Sequence, residues 1–203
     1  MGSDKLNSKD IITIVLLSLI NVLLFMASSL LYISPITILL MPIIYALIEG
    51  IVFFTIGVKV RKKGALFIYC AVRSLMGGYL PYLICYLVAG VLVEWIRMNK
   101  KFTLKVNLTI SYVVVELLAS LGGTFYPYVL AYKSFFVDKA EFVMQNNGEN
   151  IIAAADMMHS WIGPALVIGI IIAAIIGSMI AQRIMKKHLL DSAGEDGFGQ
   201  RKK

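Results

Sequence analysis

Apolar residues in this chain are gathered into runs close to the ~20 residues that an α-helix needs to cross a ~30 Å hydrocarbon layer. The runs, bounded by charge clusters and by Pro and Gly, predict helices over 11–32, 35–58, 65–78, 80–96, 106–132 and 161–185. The expected fold class is therefore an all-α membrane protein, a bundle of six transmembrane helices. The third and fourth runs form one apolar stretch too long for a single span, and Gly77, Gly78, Tyr79 and Pro81 supply the turn that divides it. Without that turn the count falls to five. The first run is longer than the 7–15 apolar residues of a secretory signal, which predicts a retained helix.

The basic residues test the division. Lys59, Arg61, Lys62 and Lys63 follow the second run, and Arg97, Lys100, Lys101 and Lys105 follow the fourth. Both chain ends are also basic. Six spans put all four basic segments on the cytoplasmic side, with N-in/C-in topology. The connection 133–160 carries Lys133 and Lys139 against Asp138, Glu141, Glu149 and Asp156, which suits the outside. Loops longer than ~12–15 residues are usually functional or disordered. Within this one, 145–150 is polar and turn-like, and 151–159 has the makings of a short helix lying over the bundle. The tail 191–203, with Gly194, Gly197 and Gly199 among charges, is expected to be flexible and cytoplasmic. Asn107, Leu108 and Thr109 spell a glycosylation acceptor on the wrong side for one.

Composition strengthens the membrane reading. Of 203 residues, 59% are hydrophobic and 15% charged, against about 45–50% and about 25% in an ordinary soluble domain. A net charge of +7 raises the question of nucleic acid. Most of the cations flank apolar runs, where they orient helices instead. The two cysteines, Cys70 and Cys85, fall inside expected spans, so no disulfide framework or metal pair is expected.

Three charged residues lie deep within spans. Glu49 and Arg73 are each ~15 Å along a helix from the nearest basic boundary and Glu116 ~16 Å, all near mid-membrane depth. Charges there are costly unless paired, so Arg73 is expected to meet Glu49, Glu116 or both, as a packing device or as part of a solute site. A second pattern is the stripe Ala165, Gly169, Ala173, Gly177 and Ala181 at four-residue spacing. Such a stripe lets a helix approach closely, within the bundle or as a docking face for a partner. A third is aromatic. Tyr79, Tyr82, Tyr86, Tyr126, Tyr128 and Tyr132 ring the outer ends of the third to fifth helices, and Met157, Met158, His159 and Trp161 lead into the sixth. An interfacial belt accounts for many of them. Met158 and His159 are also candidate ligands for haem iron, and no intrinsic metal site is expected.

Motifs for ATP hydrolysis, zinc proteolysis and serine hydrolysis are missing: no Gly-x-x-x-x-Gly-Lys-Ser/Thr, His-Glu-x-x-His or Gly-x-Ser-x-Gly occurs. Energy for active transport would come from a partner or an ion gradient. The six helices also lack the inverted repeats of many secondary transporters.

Three stretches carry a resemblance: Met41-Pro42 with Ala46-Leu47-Ile48-Glu49-Gly50-Ile51-Val52 running into Lys59-Val60; Lys63-Gly64-Ala65; and Lys186-Lys187-His188-Leu189-Leu190-Asp191-Ser192-Ala193-Gly194. Through them the sequence resembles the Trep_Strep family of integral membrane proteins, grouped with the substrate-binding S components of energy-coupling-factor (ECF) transporters. The resemblance implies a six-helix capture subunit in the plasma membrane, with its ligand near the outer face. It also implies as partners a membrane coupling (T) subunit and two cytoplasmic ATPases. Many S components carry Ala-x-x-x-Ala for docking in the first helix; this chain has Ser18 and Val22 there.

The expected function is therefore substrate binding for an ABC-type importer, without enzymatic activity. The candidate site comprises Arg73, Tyr79, Tyr82, Tyr126, Tyr128, Met157, Met158, His159 and Trp161. The candidate docking surface comprises Ser18, Val22, Gly169, Ala173, Gly177 and Ala181. Haem or another tetrapyrrole is one solute, its carboxylates met by Arg73 or Lys133; a vitamin-like or nucleobase-like solute is another. A membrane-embedded enzyme using Glu49, Arg73 and Glu116 for acid/base chemistry, and a purely structural membrane partner, are the readings from other classes.

Overall fold

The computed structural model describes residues 5–98, 102–132, 134 and 148–186. Lys133, most of the outer connection and the tail beyond Lys186 lie outside the described residues. All the secondary structure among the described residues is helical. Helix α1 (Ser8–Ala27) continues as a 3-10 segment (Ser28–Ile33). Next come α2 (Pro35–Ile48), α3 (Gly50–Lys59), α4 (Ala65–Ser74) with a 3-10 end (Leu75–Gly77), and α5 (Leu80–Arg97). Helix α6 (Leu104–Ser120) runs into a π-helical stretch (Leu121–Leu130), followed by α7 (Gly148–Met158) and α8 (Ile162–Met185).

Among the described residues, five helical stretches are long and apolar enough to cross a membrane: Ser8–Ile33, Pro35–Lys59, Leu80–Arg97, Leu104–Leu130 and Ile162–Met185. The third expected span is a shorter apolar helix, Ala65–Gly77, whose length of about 20 Å at 1.5 Å per residue falls below the hydrocarbon thickness. The expected turn divides it from α5. Gly78 has φ +68°, a left-handed conformation that glycine adopts without cost, and Pro81 lies in the first turn of α5.

Helices α4 and α5 lie antiparallel at close range. Gly90 leaves room where a β-carbon would stand 2.9 Å from the Phe67 ring. At one end the Glu94 carboxylate accepts from the Leu66 amide at 2.9 Å, placing an anion on the N-terminus of α4. The same end is tied by Arg97, whose Nη2 donates to the Lys62 carbonyl at 2.6 Å, and by a Lys62–Asp10 ion pair at 2.6 Å. This basic end thus joins α1, the α3–α4 turn and α5.

Among the described residues, two apolar clusters fill the bundle. The larger is built on Phe53, Phe54, Tyr69, Leu108 and Tyr112. The smaller, at the opposite end, joins Ile38, Leu39, Tyr128, Ile151, Met158 and Leu166, and brings in α7 as the expected short helix over the bundle. The Asn150 amide donates to the Tyr32 carbonyl at 3.1 Å, holding α7 to the end of α1. Outward, Leu16, Leu23, Leu30, Val91, Trp95, Ile168 and Met179 are exposed, an apolar surface that requires lipid as its solvent.

The span Pro35–Lys59 is interrupted at Glu49. In an unbroken helix the Ala46 carbonyl would accept from the Gly50 amide. Here it accepts from the Tyr112 hydroxyl of α6 at 2.8 Å. Gly177 of α8 packs on the other side of the break, where a β-carbon would stand 2.2 Å from the Ala46 carbonyl oxygen and 3.0 Å from that of Leu47. Ala173 and Ala181 are buried in the same seam, and Gly169 meets Ile43. The small-residue stripe is therefore a packing face within this chain, which corrects the expectation that Gly169, Ala173, Gly177 and Ala181 dock a partner. Ser18 is likewise buried, its hydroxyl donating to the Ile14 carbonyl at 2.8 Å, while Val22 is half-buried on α1.

A candidate solute cavity

Glu49 sits at the break in the second span and Arg73 in the last turn of α4, so each side chain enters the bundle interior at a point where a helix is ending. Their ion pair is direct: Arg73 Nη2 lies 2.5 Å from Glu49 Oε1, with both side chains at most 2% exposed. The guanidinium also donates to the Asn21 carbonyl (3.3 Å), the Met76 sulfur (3.0 Å) and the Tyr86 hydroxyl (3.3 Å), and lies over the Tyr86 ring at 5.7 Å. One arginine thus ties α1, the second span, α4 and α5. Glu116 makes no ion pair with it, although it is buried and within electrostatic reach of Glu49 and Arg73.

Above these charges lies a cavity of about 350 Å³. Its charged lining is Glu49, Arg73 and Glu116; its aromatic lining is Phe25, Tyr32, Tyr45, Tyr79, Tyr82, Tyr86 and Tyr128. Met41, Pro42, Ala119, Ser120 and Thr124 complete much of the remaining wall. The volume falls within the ~300–1,000 Å³ of small-molecule sites, and an apolar wall with a few convergent polar groups is their usual composition.

The aromatic walls are propped by one another. Phe25 stacks on Tyr45 at 6.3 Å, Tyr82 meets Tyr86 at 4.9 Å, and Tyr79 lies between Tyr82 (5.9 Å) and Tyr126 (6.5 Å). The Tyr79 hydroxyl donates to the Gly122 carbonyl in the π-helical stretch. Gly122 and Gly123 themselves press against Tyr82, so this irregular stretch sets the position of the wall. π-Helical turns occur disproportionately at functional sites.

The structure sorts the expected site residues into two groups. Arg73, Tyr79, Tyr82 and Tyr128 line the cavity with Glu49 and Glu116. Tyr126 stands behind Tyr79. Met157, Met158, His159 and Trp161 do not reach it. Met158 is buried in the smaller apolar cluster with Met157 packed against that cluster, and Trp161 is 78% exposed. The His159 ring lies at the surface with Nδ1 2.8 Å from the Ala155 carbonyl, edge-on to Tyr132. These four expected residues thus stand apart from the cavity: α7 turns its methionines into a packed core and leaves the histidine at its end. Among the described residues no group of three or more metal-binding side chains occurs.

Sequence reasoning missed the contribution of the first two spans, Phe25, Tyr32, Met41 and Tyr45. Its aromatic criterion was confined to the later helices. The only signal in the sequence was Pro42 and Glu49 within one apolar run, marks of a helix that departs from regularity in mid-membrane.

Residues 8–190 match a family described as a hypothetical bacterial integral membrane protein (Trep_Strep). No curated protein and no solved structure matches the chain.

Proposed function

Because the chain belongs to the Trep_Strep family of integral membrane proteins, we propose that its cavity is a solute-capture site and that the protein is the substrate-binding subunit of an ECF-type importer. The observation that carries this reading is the cavity itself, an aromatic-walled space with an ion pair and a second glutamate on its floor. A helix bundle built only for packing closes such a space, because voids forfeit contact energy on every wall. Here glycine and tyrosine hold it open.

The proposal places the basic end in the cytoplasm, following the Lys/Arg bias, and the cavity toward the outer face. Helix α4 then counts as a sixth crossing. Its start is level with Glu94 and its end with Tyr82, so it runs beside almost the whole of α5. Both chain ends are cytoplasmic on this count. A membrane coupling subunit and two ATPases would supply the energy.

Purification from the native membrane, followed by mass spectrometry of the released small molecules, tests the reading. One stoichiometric solute is expected, with uptake by cells that requires this chain together with a coupling subunit and ATPases. Chemical conversion of the bound molecule on incubation would move the protein to the membrane-enzyme class, and a purified chain with no solute and no uptake phenotype would remove the capture reading.

A further inference from the structure

The polar atoms on the cavity floor define a solute chemistry. Glu49, Arg73 and Glu116 are 0%, 2% and 3% exposed, and all three line the cavity. Two carboxyl groups face one guanidinium, whose Nη atoms are already committed to Glu49 Oε1, Tyr86, Asn21 and Met76. Two carboxyl oxygens, Glu49 Oε2 and Glu116 Oε1, are buried without a hydrogen-bond partner. A buried acceptor without a donor is costly, and a second carboxylate at mid-membrane depth more so. A solute bringing N–H donors and positive charge offsets both costs, whereas a solute carboxylate adds a third anion and finds, on a guanidinium already ion-paired with Glu49, only the Nε without a partner. The walls point the same way, since the faces of tyrosine rings attract cations.

We infer that the cavity takes a flat aromatic or heteroaromatic cation whose edge carries at least two N–H donors, an amidinium or protonated amino-heterocycle, donating to Glu49 Oε2 and Glu116 Oε1 between tyrosine walls. The inference rests on the capture reading and deepens it. It excludes as preferred solutes those recognised through their own carboxylates.

Three probes of nearly equal size and shape separate the charges: benzamidinium chloride, benzamide and sodium benzoate. Each is titrated calorimetrically into the detergent-purified full-length protein, with thermal unfolding followed in parallel. Benzamidinium is expected to saturate and raise the Tm, with at least tenfold tighter binding than benzamide, and benzoate to give no shift. Glu116→Gln keeps the shape of the side chain and should lower benzamidinium affinity at least tenfold without lowering the Tm of the free protein. Benzoate binding as tightly as benzamidinium, or an unchanged benzamidinium affinity in the Glu116→Gln protein, overturns the inference. If that variant does not fold, the ranking of the three probes on the unaltered protein decides. A co-purified solute that is neutral or anionic sinks the cation while leaving capture standing; no co-purified solute and no response to any probe sinks both.

Discussion

The two sides of Glu49 pack in opposite ways. Toward α8 the chain is closed by backbone: Gly177 rests on the Ala46 and Leu47 carbonyls, and Tyr112 plugs the break from α6. Toward α4 and α5 the same residue faces a space of about 350 Å³ walled by rings. Small residues let helices meet, and large residues that lean on each other keep them apart. In a bilayer, where lipid is as apolar as any side chain, close packing drives helix association, so the tight side stabilises the fold and the open side spends some of that stability.

The largest effect should come from the tight side. Gly177→Leu places side-chain atoms where a β-carbon already stands 2.2 Å from a carbonyl oxygen, so α8 has to leave the seam. The expected outcome is loss of monodisperse protein on size-exclusion chromatography, with solute retention and uptake failing together. Retained binding with lost uptake would instead make the seam a docking face. Next in size is Arg73→Ala, which strands the Glu49 carboxylate. Removing one partner of a buried pair costs about 3–5 kcal/mol, and adding Glu49→Gln should recover part of it. Strict additivity in a thermal or denaturant series would show that the pair is not coupled.

On the open side, Ala119→Leu projects into the cavity from α6. It should leave stability within about 1 kcal/mol while reducing solute retention at least tenfold. A loss of stability with unchanged retention would mean that the cavity is not the binding site. The smallest effect is expected from His159→Ala at the surface, within about 0.5 kcal/mol and without loss of retained solute. If haemin gives a saturable Soret shift that this change abolishes, the solute is held at the end of α7 and not in the cavity.

Helix positions were legible because bilayer thickness and turn chemistry act locally. Gly78 and Pro81 mark the α4–α5 turn, and the depth of Glu49 and Arg73 predicts that they can meet. What resisted reading depends on rotation about helix axes. The stripe on α8 names a close approach, but sequence spacing does not say whether the neighbour is Ala46 of this chain or a second protein. Met157, Met158 and His159 adjoin in sequence, yet successive helical residues point about 100° apart, so one can enter a core while another reaches the surface. The walls supplied by Phe25, Tyr32 and Tyr45 appear only once the first two spans fold back on the later ones.

Gly177 has a consequence for descent. A position whose β-carbon would overlap a neighbour's backbone tolerates no gradual drift, since even alanine requires two helix axes to separate. Lineages that retain this crossing must retain glycine at that point. A branch in which the glycine has gone should therefore reveal a compensating shift in the Ala46–Gly50 segment, and with it a cavity floor of different shape.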